Sequence, residues 1–187
     1  MQRFVIAYLL LATITCTGVD AQINNPDKPT TTLLLSVRTD QHVYRMSDKI
    51  RMETQLLNTG SEDVYIWDWD LCWNFARGLS MHFAAPDGAL AHGDFLFDCV
   101  PPPPKKGDVY AFIKLEPGRF YGIADEIKVT DVVSKPGEYD LSVTYKSSIS
   151  SRFIKEFLNH DLVSRLQVWT MEQPTIEAPI LRIVVKP

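Results

Sequence analysis

Four aromatic residues crowd into one short stretch, Tyr65, Trp67, Trp69 and Trp73, interleaved with Asp68, Asp70 and Cys72. On one unbroken strand the four rings would share a side and the two carboxylates and the thiol the other. Two chemistries follow. Exposed, Trp67, Trp69 and Trp73 are candidate ligand-binding residues, a stacking platform for sugar rings or an extended peptide. Buried, the reading ranked first, they fill the core next to the cysteine pair Cys72 and Cys99. Val64 and Ile66 fall on the acidic side, so the strand is expected to twist or bulge and move some rings across.

Asp68, Asp70, Asp94 and Asp98 offer oxygen ligands, but their spacing matches no compact calcium loop. They read as solvated turn residues. His42, His82, His92 and His160 show no metalloprotease spacing, and the chain has neither a Gly-x-Ser-x-Gly elbow nor a glycine-rich phosphate loop. No catalytic residue, metal ligand or cofactor is assigned.

The N-terminus sets the compartment. Met1-Gln2-Arg3 is a short basic start, Phe4 to Ile14 an apolar run too short to span a bilayer, and Val19-Asp20-Ala21 a cleavage signature. Residues 1–21 therefore read as a signal peptide, with Gln22 opening the mature chain in the periplasm or outside the cell. Lipid attachment through Cys16 is the secondary reading, because Thr13-Ile14-Thr15 lacks the small residue such processing needs. With Cys16 removed, Cys72 and Cys99 form an even pair in an oxidising compartment and are expected to be joined. A disulfide over that separation contributes about 3 kcal/mol, mostly by restricting the unfolded chain. A zinc site using His82 or His92 ranks below it, since neither is closely spaced with a cysteine. The net charge of −4, without runs of like charge, argues against a nucleic-acid partner.

The elements that must position these residues follow a period of two. Residues 22–32 read as a flexible lead-in and 33–187 as one β-sandwich domain. Leu33, Leu35 and Val37 share one face of a first strand, and Ile50, Met52, Thr54 and Leu56 one face of the next. The polar corner Arg45-Met46-Ser47-Asp48 suggests that these two strands lie in facing sheets. From Tyr44 to Ile66 the pattern reads as two antiparallel strands about the turn Asn58-Thr59-Gly60-Ser61. Leu79 to Ala84, Phe95 to Phe97 and Val109 to Leu115 are further apolar pieces, with turns at Pro86-Asp87-Gly88 and Glu116-Pro117-Gly118. Arg119 to Gly122 and Ile127 to Val129 are expected as two short strands. Tyr139, Leu141, Val143 and Tyr145 alternate along a clear strand that Pro136-Gly137 begins. Phe153, Phe157 and Leu158 recur at helical spacing and predict a short helical insert before the last strand, Leu181 to Val185. Pro101-Pro102-Pro103-Pro104, followed by Lys105-Lys106, must be extended and reads as a strap across one end of the sandwich.

Short strands parted by Gly, Pro and Asn turns, with little helix, predict an all-β fold of two packed antiparallel sheets. The order of elements resembles immunoglobulin-like modules, many of which bury a tryptophan in the sandwich core, as the first-ranked reading places these rings. Asp131 followed by Pro136-Gly137-Glu138-Tyr139 is similar to the region where such folds place a corner tyrosine whose hydroxyl returns to the backbone. The layout of Tyr44, Ile50 to Leu56, Asn58-Thr59-Gly60, Leu115 to Gly118 and Gly137-Glu138-Tyr139 also resembles bacterial domains of the intracellular proteinase inhibitor type. That resemblance implies a sandwich more firmly than inhibition. Export, the cysteine pair, the proline run and the helical insert depart from it.

The function these features support is an exported, non-enzymatic binding or interaction module for a protein, peptide or glycan. Its contact surface is expected at loops of one sandwich end or at Trp67 to Trp73. Alternatives are inhibition of an envelope or extracellular protease by a loop such as Val100 to Asp108, and carbohydrate binding on exposed tryptophans.

Overall fold

A computed structural model describes residues 32–71, 78–89, 91, 112–157 and 166–187. The first sheet is three-stranded and antiparallel, with β1 (Leu33–Thr39) beside β3 (Lys49–Asn58) and β3 beside β7 (Phe120–Lys128). The second runs in the order β2 (Val43–Arg45), β10 (Leu181–Lys186), β8 (Gly137–Tyr145), β5 (Leu79–Ala84), with β9 (Ile176–Glu177) also on β8. β2 is parallel to β10, and the other pairings are antiparallel. A separate ribbon joins β4 (Val64–Trp67) to β6 (Phe112–Leu115). Helix α1 (Val129–Val132) is a single turn, and α2 (Ser151–Phe157) is the expected insert.

The two sheets face each other because each strand buries alternate residues. Leu35, Ile50, Met52 and Leu56 come from the first, Leu79, Leu141, Val143, Tyr145 and Ile183 from the second, and all belong to one core cluster. Burying each such side chain stabilises the fold by about 1.5–3 kcal/mol. This is an immunoglobulin-like all-β sandwich. Its corner tyrosine is in place: the Tyr139 hydroxyl donates to the carbonyl of Lys135 at 2.7 Å. The turns at Gly88 and Gly118 carry φ values of 81° and 72°, a region that favours glycine.

Several expectations are corrected. β1 and β3 are neighbours in one sheet, not members of facing sheets, with Leu35 opposite Leu56. The stretch between them is long enough to send β2 across to pair with β10 and return, so the polar corner at 46–48 marks that return crossing. β3 and β4 do not pair with each other, since the turn after Asn58 carries the chain out of the sheet to the ribbon. The two short strands expected between Arg119 and Val129 are one nine-residue strand. Ala124, Asp125 and Glu126, weak strand formers that announce no strand, are held in register opposite Glu53, Met52 and Arg51.

Residues 1–31, both Cys72 and Cys99, Phe95 to Phe97 and the proline run lie outside the described residues.

Candidate functional site

The strand alternation that builds the core also decides what is presented. On the outer face of the first sheet, Leu34 stands opposite Leu57 and Leu57 opposite Phe120, one apolar row across three strands. Leu34 is 49% and Phe120 59% exposed, and Leu57 is half-buried. The next row, Ser36, Gln55 and Gly122, is small and polar. A Cβ built on Gly122 would lie 3.6 Å from a Phe120 ring carbon, so the ring leans along the strand over the glycine.

Further along the face the rows become charged. Arg38 and Glu53, directly opposite, form an ion pair in which Nε donates to the carboxylate at 2.8 Å. Lys49 pairs with Glu126 at 3.0 Å. At this end a shallow cleft of about 270 Å³ is lined by Arg38, Thr39, Asp40, Arg51 and Glu53. Asp40 accepts the Tyr44 hydroxyl at 2.7 Å and the Arg51 amide at 3.1 Å. Burial works to raise the Asp40 pKa, but these hydrogen bonds together hold it below the ordinary carboxylate value. Burial, reinforced by the Asp40 carboxylate, pushes the Tyr44 phenol up to about 12. The face thus grades over roughly 20 Å, six residues of strand, from an apolar row to a mixed-charge cleft.

The aromatic stretch behaves differently. β4 ends at Trp67, and Asp68–Leu71 form a 3-10 turn, so the expected long strand does not exist. Both faces of β4 are covered. Val64 and Ile66 point into the main core, while Trp67 belongs to a second cluster with Phe112, Ile149 and Ile154. Trp67 is 7% exposed and meets Phe112 and Phe153 edge-on, with ring centroids 5.1 Å and 6.1 Å away. Cover on both faces, rather than a bulge, resolves the alternation, and it removes Trp67 from the stacking platform. Trp69 lies on the turn without a described side chain, and Trp73 lies outside the described residues.

Asp70 is not the solvated turn residue expected from its sequence context. It is fully buried and accepts hydrogen bonds from Ser147 Oγ at 2.6 Å, Ser148 N at 3.0 Å and the Ser148 hydroxyl. The Tyr145 hydroxyl approaches at 3.4 Å. A side chain on Gly78 would overlap the Cβ and carbonyl oxygen of Asp70, so a glycine is what lets the chain pass there. Asp68 is exposed, and Asp94 and Asp98 lie outside the described residues.

Sequence reasoning missed the apolar row. The signal that could have found it is Leu34, set out of phase between Leu33 and Leu35, and Phe120 opening a strand on its solvent side.

No family model matches the chain, and no curated protein matches its sequence. Among solved structures it is similar to the CARDB domain of a Pyrococcus furiosus protein in complex with di-metal ions. Identity there is 10%, coverage 83% of this chain and 93% of that one, and the TM-score 0.37. A β-glucosidase of Erythrobacter marinus gives 12% identity and a TM-score of 0.41, over 83% of this chain and 16% of the enzyme. β-Glucosidase 3B of Thermotoga neapolitana, in complex with glucose, gives 17% and 0.33, over 82% of this chain and 17% of the enzyme. At such TM-scores the strand order and register, not these likenesses, define the class: an immunoglobulin-like sandwich module. No helix among the described residues is long and apolar enough to cross a membrane.

Proposed function

We propose that this chain is an exported binding module that engages a protein partner through the outer face of its three-stranded sheet. The observation that carries this reading is the exposed row Leu34, Leu57 and Phe120, continuous with a mixed-charge cleft. An apolar centre beside a polar, charge-paired margin is the anatomy of a protein–protein contact. A protein fits better than a glycan, because the row is mainly aliphatic and Trp67 is packed inside. Export rests on the sequence of residues 1–21, and the Cys72–Cys99 disulfide on the even cysteine count that follows their removal.

The test is a binding titration. A protein retained by the immobilised chain is purified and titrated against wild type and the double variant Leu34→Ser with Phe120→Ser. The expected result is at least tenfold weaker binding with an unchanged unfolding midpoint. Equal affinity for both chains would remove this face from the interaction.

A further inference from the structure

Asp70 is a fully buried carboxylate, and no ion pair to it is found among the described residues. The groups packed around it come from three places: Tyr145 at the end of β8, Ser147 and Ser148 just beyond, and Gly78 ahead of β5, whose amide donates to it. Tyr145 is the titratable group among these. Burial first, and then the charge of Asp70, drive its phenol far above the ordinary value, so it stays neutral and can only add a hydroxyl to the network.

The Ser147 and Ser148 hydroxyls can reverse their part of the hydrogen bonding, while the Ser148 and Gly78 amides remain donors to either form of the carboxyl. Ser147 and Ser148 donate to a carboxylate, and either can rotate to accept from a carboxylic acid. Protonation therefore removes a buried charge without breaking the network, whereas ionisation restores a charge where water cannot solvate it. The network also has a mechanical position. It ties the turn that follows Trp67 to the end of β8, joining the second cluster to the sandwich.

We propose that Asp70 is a proton-dependent latch: proton uptake tightens the joint between the Asp68–Leu71 turn and the end of β8, and proton release loosens it together with the packing of Trp67. Burial raises the Asp70 carboxyl above its ordinary value of 3.8, against the opposing pull of the Ser147 and Ser148 hydrogen bonds. A raised folded-state value means that the stabilising contribution is complete below the unfolded-chain pKa and lost as pH rises through the folded one.

The test uses carbon-13 titration of the Asp70 carboxyl in the full chain, with hydrogen exchange followed at Asp68–Leu71 and Ser147–Ile149. The expected midpoint lies above the ordinary aspartate range. Protection corrected for intrinsic exchange should fall severalfold as pH passes through it, and Asp70→Asn should flatten that fall. A midpoint at or below the ordinary range, or protection that rises with pH, overturns the latch. Should Asp70→Asn fail to fold, Ser148→Ala gives the same test, because losing a donor to the anion must raise the midpoint further. An unchanged midpoint in that variant contradicts the network.

Discussion

Trp67 and Phe120 occupy opposite situations, and the sequence draws attention to the first. Trp67 stands in the densest aromatic stretch of the chain, yet it is 7% exposed, closed in by Phe112, Phe153 and Ile154. Phe120, just after a Pro-Gly turn and beside Tyr121, is 59% exposed on the outer face of the first sheet. Aromatic density along a chain measures how much surface is available to bury, not which surface is left uncovered. Only pairing and layer order decide that, and both are long-range.

The largest expected effect probes the buried member. Trp67→Ala should lower stability by about 3–5 kcal/mol in urea unfolding, because the second cluster loses its central ring and keeps a void. A loss under about 0.5 kcal/mol would put Trp67 with ordinary surface positions and erase the contrast with Phe120.

The next effect tests the junction between the regions. Asn58 is fully buried at the end of β3, and its amide donates to Leu115 O of the ribbon at 2.9 Å and to Glu62 O at 2.7 Å. Asn58→Ala leaves the carbonyl of buried Leu115, and that of Glu62, without those donors and should cost about 1–3 kcal/mol by the same measurement. Hydrogen exchange should show the ribbon opening before the sheets.

A smaller effect, of opposite sign to that at Asp70, comes from Asp40 beneath the charged end of the outer face. Its carboxyl, on an exposed residue, is held low by the Tyr44 and Arg51 hydrogen bonds against the desolvation that would raise it, so its contribution is complete above the unfolded-chain pKa and is lost as pH falls through the folded value. The Arg51 and Tyr44 contacts should loosen in acid, while the Asp70 joint tightens. Amide exchange at Gln41 and Arg51 against Ser148 reads both, and a common direction would contradict the opposed environments.

The smallest expected effect concerns the exposed row. Phe120→Ser should shift stability by no more than about 0.5 kcal/mol, the range of an ordinary surface change. A larger loss would make the row part of the packing rather than a presented surface.

How much of this was legible depends on how local each signal was. Ile50, Met52, Thr54 and Leu56, and the run Tyr139 to Tyr145, declare their buried faces by simple alternation, and both sets are buried. Tyr139 and its return to Lys135 were legible because the corner is a local arrangement of five residues. The neighbour of β3 was not, because nothing local to Lys49–Asn58 says that β1 and β7, rather than β4, will flank it. Asp70 was misread for a similar reason: its serine donors stand 77 and 78 positions later, and an aspartate in a turn carries no mark of them. The outer-face row shared that difficulty, since Leu34, Leu57 and Phe120 become neighbours only through two strand registers.

The most direct test of the outer face as the contact surface is site-specific photocrosslinking in the compartment where the chain resides. Photoreactive side chains replace Leu34, Phe120 and, as a control, Ile180, an exposed apolar residue ahead of β10 that is 65% accessible. The account predicts the same protein adduct from positions 34 and 120 and none from 180. Adducts at 180 alone, or equal labelling at all three positions, would contradict it.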